Sequence, residues 1–480
     1  MEYVLIALGV IIVSVVAILL IRAVCFMPQV PSVEKTDVPE ISEEELAERF
    51  SRFLQCKTIT FEDAPNVDSP EHEKFIALIK ELYPKVFEKA EFKRVAKFGL
   101  VFRIKGKSDK NPSCIMSHYD VVPVSEENWT EDPFGGVIKD GKVIGRGALD
   151  NKATLICSME GMERLLEKDF SFTPEDDIYF TFGGDEETAG LCQQAIVKEF
   201  EEEGKKFKLV LDEGGAIVKD VFPGVKDEVA VIGLAEKGSA NVELSVASNG
   251  GHASTPSKDN PTNVLARALV ALEKNPMKSE ISSPVSGMLD TLGRYSTFGM
   301  KVVFANMWLF KGLVKKIFEK GNETNAMLRT TFAYTMMSGS NARNIVPTMS
   351  KCNLNIRIAP GDTIDTVVEH IKKVVNDDRV KIEVLMYSNP SPVASADDFG
   401  YKTVKQTMNE VYPEVIVSPY IMLAASDSRF YRNVSDNTLK FAPLRMSSAQ
   451  RKSIHGDNEF IEINALKKGT EFYYGLFQKL

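Results

Sequence analysis

Closely spaced cysteines are missing from this sequence. Its six cysteines, Cys25, Cys56, Cys114, Cys157, Cys192 and Cys352, include no CxxC pair, which excludes a disulfide framework and a thiolate metal site. Several fall inside apolar strand-like or helix-like runs and read as buried thiols. Basic clusters are missing as well. Lys and Arg number 58 against 67 Asp and Glu, a net charge of −9 with a pI near 5.4. No long basic patch offsets that balance, so nucleic acid is excluded as a partner. What is present is an ordinary globular composition, 44% hydrophobic and 26% charged over 480 residues. That is enough for two domains and an ample core.

Val4 to Ile21 is an uncharged run of 18 residues. As a helix it spans about 27 Å, against a hydrocarbon core of about 30 Å. Glu2 before it and Arg22 after it argue for an uncleaved membrane anchor over residues 1–27 rather than a signal peptide. Arg22 also argues weakly for a cytoplasmic body. Residues 28–41, with Pro28, Pro31 and Pro39, read as a short stiff tether.

From Ser42 onward, helix and strand patterns alternate. SEEELAERFSRFL opens a helix behind a Ser cap. GLVFRIKG, SCIMSHYD, DIYFTFGG and FKLVLDEG read as strands, and NKATLICSMEGMERLLEKDF as a helix. The expectation is an α/β layer with a mostly parallel sheet, whose ligands collect beyond the carboxyl ends of the strands.

Acids and imidazoles stand at those ends. TFGGDEETAG carries Glu186 and Glu187 side by side after an apolar run. Two such carboxylates leave water together only at a cost of several kcal/mol unless a positive charge lies close, and a metal dication is the simplest one. SCIMSHYD ends in His118 and Asp120, which share a face two residues apart, so the carboxylate can hold the imidazole. GRGALDNKA places Asp150 before a helix, LVLDEGGA places Asp212 at a strand end, and SIHGDNEF places His455 before the last helix. Each alone has a plainer reading: a solvated acidic turn, an N-cap, a structural histidine. Together, three carboxylates and two neutral imidazoles balance two dications but for about one positive charge, which a hydroxide cancels.

SHYDVVPV, GRGALDNKA, GGDEETAG, LDEGGA and IHGDNE, in this order, resemble the co-catalytic zinc metallopeptidases of family twenty, typified by aminoacylase and carboxypeptidase S. AEKGS, GGHASTPS and NAMLRTT resemble most the branch holding carboxypeptidase S and the N-acyl-amino-acid synthase/hydrolase. The resemblance runs from about residue 42 to 480. It implies two Zn2+ ions per chain, with Co2+ or Mn2+ as substitutes. His118 and Asp212 would hold one ion and Glu187 and His455 the other, with Asp150 bridging and Asp120 orienting His118. Glu186 would be the general base that takes a proton from water and hands it to the leaving amine. It implies an extracytoplasmic body, against the sign of Arg22.

After Lys237 the pattern becomes βαββαβ, a ferredoxin-like layer inserted between the halves of the catalytic domain. The expected boundaries are 42–237 for the first catalytic part, 238–387 for the lid and 388–480 for the second catalytic part. The resemblance implies that the lid pairs subunits into a homodimer. It also implies that His252 in GGHAS stabilises an oxyanion, commonly in the partner's site, and that Asn344 and Arg357 bind the substrate carboxylate. Arg429 in SDSRF matches a pocket segment. Asn151, Ala153 and the AAS of 424–426 depart from the family pattern without removing a ligand. The peptide after the bridging acid is cis in relatives.

An insertion over 276–325 includes MWLFKGLVKKIFEKG, an amphipathic helix with interleaved lysines, expected to pack against the lid, with lipid or an acyl chain as its other potential contact. The function implied is hydrolysis of an amide to release a free amino acid, from a short peptide or an N-acyl amino acid. The alternatives are a deacetylase of a small metabolite and a catalytically lapsed homologue that binds metal or ligand.

Overall fold

The computed structural model describes residues 1–29, 38–61, 69–220, 222 and 224–480. Most of the expected tether lies outside them. An eight-stranded mixed sheet frames the molecule, in the order Glu91–Val95, Gly99–Ile104, Asp176–Gly183, Ser108–His118, Leu209–Val218, Thr438–Arg445, Val229–Glu236, Ile416–Met422. The parallel expectation holds in the middle, where Ser108–His118 runs parallel to both neighbours and Thr438–Arg445 runs parallel to Leu209–Val218. It fails to either side. Gly99–Ile104 is antiparallel to Glu91–Val95 and to Asp176–Gly183, and Thr438–Arg445 meets Val229–Glu236 antiparallel. At the first edge the cause is local. The chain turns back through Ala96 and Lys97, at φ 47° and 69°, so a hairpin replaces a crossover.

The central strands run apolar and buried over their middles, residues 113–118, 177–183 and 209–212, because both of their faces are covered there. Ile115, Phe180 and Leu211 enter one core with Leu155 and Phe472 from the helices Lys152–Lys168 and Ile463–Phe477. Their neighbours Cys114, Tyr179 and Val210 enter another, under Ile196 and Phe200 of Leu191–Glu202. All six cysteines are free, and all but Cys25 are buried.

Past Glu236 the chain builds an antiparallel sheet in the order Thr331–Ser338, Met349–Ile358, Gly238–Ala247, Lys381–Ser388. Gly238–Ala247 alternates buried and half-exposed residues, as a sheet covered on one face requires. The helices Pro261–Lys274 and Ile364–Val375 supply the cover.

The insertion forms the helices Ser283–Tyr295, Phe298–Phe304 and Met307–Phe318 and most of Asn322–Leu328. Its packing differs from the expectation. Val314 and Phe318 enter a core with Leu289 and Leu292 and with Val229, Ile416 and Ile421 of the large sheet, not with the four-stranded sheet. That smaller sheet's covered face is already filled by its own two helices, whereas the outer strand Ile416–Met422 still has apolar side chains to bury.

Candidate metal centre

The loops at the carboxyl ends of the central strands converge. His118 ends its strand, Glu186 and Glu187 follow Asp176–Gly183, and Glu213 lies within Leu209–Val218. Asp150 precedes the helix Lys152–Lys168, and His455 follows Ser448–Ser453. Two ligand groups result, His118 with Asp150 and Glu213, and Asp150 with Glu187 and His455. The donor atoms of each group lie within 4.8 Å of one another. Asp150 belongs to both. Its Oδ1 is 2.9 Å from His118 Nε2 and its Oδ2 is 3.0 Å from His455 Nε2. Glu187 Oε2 stands 3.1 Å from the same nitrogen of His455, and Glu213 Oε1 stands 3.4 Å from His118 Nε2.

Buried Asp120 organises this edge. Its Oδ1 lies 3.3 Å from His118 Nδ1 and accepts the Glu186 backbone N–H at 3.1 Å. Its Oδ2 accepts the Glu187 N–H at 3.1 Å and the Thr60 hydroxyl at 2.8 Å. One carboxylate therefore sets both the imidazole and the turn that carries the two glutamates. Glu459, which the sequence reading passes over, does the same for Asp150. It accepts backbone N–H groups of Gly147 at 3.0 Å, Leu149 at 2.6 Å and Asp150 at 3.1 Å, and Arg146 at 2.9 Å. Its only signal in sequence is its place four residues after His455 in one motif. The Asp150–Asn151 peptide is cis, and His455 sits at φ 58° in a tight turn.

Asp212 joins neither group. Its Oδ2 accepts the Ser428 backbone N–H at 3.0 Å. Successive residues of a strand face opposite sides, so only one of Asp212 and Glu213 turns toward His118. It is Glu213, and LDEGG alone does not distinguish the two.

The acids crowd one another. Burial, with the Asp150 charge adding to it, pushes Glu213 up to about 8. Burial also raises Glu186 well above the carboxylate range, reinforced by Glu213, Asp150 and Asp120. Burial opposes a charge on His118, yet Glu213, Asp120 and Asp150 outweigh it and raise the imidazole well above its ordinary value. Hydrogen bonds to Asp150 and Glu187 bring His455 to about 10. Such a group accommodates its negative charges when cations sit among them. The donors are oxygen and nitrogen without thiolate, a set that suits zinc, cobalt or manganese.

The remaining expected residues lie elsewhere. His252 is exposed on a ribbon pairing Gly251–His252 with Ile345–Val346, its Nδ1 2.7 Å from the Ser254 hydroxyl. The same ribbon holds Asn344, whose carbonyl accepts the Ala253 N–H at 3.0 Å. Arg357 sits in the four-stranded sheet between Thr331 and Ser239. Among the described residues no hydrogen bond or ion pair joins these three to the ligand groups. Arg429 donates to the Ser426 carbonyl at 3.0 Å and lies 3.4 Å from Asp427. Burial, then the charge of Glu186, raises the Asp427 carboxyl well above its usual range, which puts this segment beside the Glu186 turn.

A mixed α/β sheet with two ligand groups sharing one carboxylate at its carboxyl edge marks the class of dinuclear metallohydrolases. The chain belongs to peptidase family M20/M25/M40, which residues 114–479 match. It is 32% identical over 480 residues to a probable carboxypeptidase S-like protein of Dictyostelium discoideum, covering 97% of this chain and 92% of the relative. It is 33% identical over 440 residues to the N-fatty-acyl-amino acid synthase/hydrolase of Homo sapiens, covering 90% and 87%. In fold it is similar to a family M20 metallo-carboxypeptidase of Sulfolobus solfataricus, with a TM-score of 0.63, 19% identity and coverage of 90% and 98%. It is also similar to a dinuclear metal binding peptidase of Bacillus subtilis, with a TM-score of 0.55, 12% identity and coverage of 91% and 97%. The chain is therefore an enzyme of the metallopeptidase and amidohydrolase type.

Proposed function

We propose that this enzyme is a zinc-dependent hydrolase of amides that end in an amino acid with a free carboxylate, either short peptides or N-acyl amino acids. His118, Asp150 and Glu213 hold one ion, and Asp150, Glu187 and His455 the other. The observation that carries this reading is Asp150, set 2.9 Å from one imidazole and 3.0 Å from the other. When bound, two such cations supply Lewis acidity and bring the pKa of water from about 15.7 toward about 7. Glu186 accepts the proton of the attacking water on its carboxylate and returns it to the leaving amine. Asp120 keeps that carboxylate in place through the Glu186 backbone N–H.

The substrate class follows from what the relatives' names share, since a carboxypeptidase and an N-fatty-acyl-amino acid hydrolase both imply a product amino acid. Arg357, with Asn344, pairs with its carboxylate, a task suited to a planar guanidinium, and Arg429 lines the pocket. His252 serves the neighbouring subunit of a homodimer formed through the 238–387 lid. The N-terminal helix holds the enzyme at a membrane.

The test is a panel of N-acetyl, N-oleoyl and N-glycyl derivatives of Leu and Phe, given to the zinc-loaded protein and to Glu186→Ala. Wild type turns over at least one. The variant keeps its zinc and loses about 10²- to 10⁴-fold in kcat or more. Unchanged turnover in the variant overturns the assignment of the base. A preference confined to N-acetyl substrates favours the deacetylase reading.

A further inference from the structure

We propose that the exposed face of the Met307–Phe318 helix is a second membrane-contact surface, which lays the enzyme body against an anionic bilayer. This rests on the reading of the helix Glu2–Cys25 as an anchor. The most apolar 18-residue window of that helix has a mean hydropathy of 3.4, and none of it is buried.

The anchor does not end in a free joint. Arg22 Nε donates to the Ala305 carbonyl at 3.0 Å, and Asn306 Nδ2 donates to the Leu19 carbonyl at 3.1 Å. Phe26 is buried in the insertion's core, where a Cβ on Gly293 would lie 3.0 Å from its ring and 2.6 Å from Phe304 Cβ. Arg294 donates to the Met27 carbonyl at 3.3 Å, and the Tyr295 hydroxyl to that of Gln29 at 3.0 Å. The insertion thus grips the apolar run at Leu19, close to where the run meets its first charge. Asn306, which makes that grip, immediately precedes Met307. The helix therefore starts at the level where the anchor leaves hydrocarbon.

Its own surface suits that level. Val314 and Phe318 are buried, while Leu309, Leu313 and Ile317, every fourth residue and so on one face, are 49%, 51% and 57% exposed. Trp308 is 62% exposed, and its Nε1 donates to Asn306 Oδ1 at 3.2 Å. An indole with one satisfied polar tip and a bare apolar body is the side chain enriched at the headgroup level of membranes.

Charge selects the occupant. From Phe298 to Lys320 the chain carries Lys301, Lys311, Lys315, Lys316 and Lys320 against one acid, Glu319, within a protein of net charge −9. Glu319 is already paired with Arg329 at 2.8 Å and Ser279 at 2.5 Å. An apolar stripe with lysines around it fits anionic lipid.

The experiment uses the full chain in vesicles of phosphatidylcholine and phosphatidylserine with brominated acyl chains. The sequence has two tryptophans, so Trp129→Phe leaves Trp308 as the sole indole. The protein is expected to float with the vesicles and to show blue-shifted Trp308 emission that brominated chains quench. Leu309→Glu/Leu313→Glu/Ile317→Glu is expected to float as well, to keep its circular dichroism and its turnover of a water-soluble substrate, and to lose the quenching. A Trp308→Phe protein in the otherwise native chain should lose the same quenched component, which gives the answer without altering Trp129. Floating protein with unquenched Trp308 overturns the proposal. A blue shift without quenching overturns it in favour of a second copy on that face. Protein that does not float overturns the anchor reading and this proposal together.

Discussion

At the residue scale, the direction in which neighbouring acids leave the backbone decides the chemistry. Glu186 and Glu187 are adjacent, as are Asp212 and Glu213. In each pair one side chain joins a ligand group and the other does not. For the second pair the structure reverses the choice that family resemblance suggests, because Asp212 is spent on the Ser428 N–H. Removing a ligand should therefore separate the two. Glu213→Gln is expected to retain one metal ion after dialysis where wild type retains two, and Asp212→Asn is expected to retain both, as read by elemental analysis of the protein. The opposite result would return Asp212 to the ligand set. His118, Asp150, Glu187 and His455 were legible because they end strands or open helices in five ordered motifs. Glu459 was not, because an acid that serves backbone N–H groups looks in sequence like any surface acid.

At the element scale, the helix Pro70–Leu82 supports the site from a distance. Its His72 is buried, with Nε2 3.0 Å from the Gly184 carbonyl, two residues before Glu186. Burial lowers the His72 pKa below its ordinary 6.5, against the pull of the Gly184 carbonyl. The folded protein thus holds this imidazole neutral while the unfolded chain takes up a proton near pH 6.5. The stability it contributes is present above that pH and is lost as pH falls through it, with a limiting slope of about 1.4 kcal/mol per pH unit. His72→Gln should flatten the fall in unfolding free energy between about pH 7 and pH 5, measured by urea titration of both metal-free proteins. Equal slopes would show that folding leaves the His72 pKa where it stands in the unfolded chain. The elements themselves were mostly legible from period, including the order strand, helix, strand, strand, helix, strand after Glu236. The hairpin at Ala96 and Lys97 was not, since neither residue announces a turn and both adopt positive φ only in context.

At the scale of the whole molecule, His252 stands apart from the ligand groups of its own chain, and apolar side chains lie open on the outer strands of the four-stranded sheet, among them Met336, Met337, Leu385 and Met386. The homodimer proposed above would give each of these features a use. Glu186→Ala and His252→Ala are each expected to be inactive alone. Co-expressed, they should recover part of the activity, because a mixed dimer holds one intact centre facing one intact imidazole. No recovery, with dimers present by sedimentation, would place His252 in its own subunit's site or outside catalysis.

The amino-acid sequence by itself determined the family, the anchor-like run and most of the candidate ligand residues. Those properties depend on residue type and order, and composition, period and motif record both. The tertiary structure alone decided that Glu213 rather than Asp212 faces His118, that Glu459 shapes the Asp150 loop, and that the insertion packs on the edge of the large sheet. Each depends on which face a side chain takes once distant strands meet, and a one-dimensional pattern carries no information about that meeting.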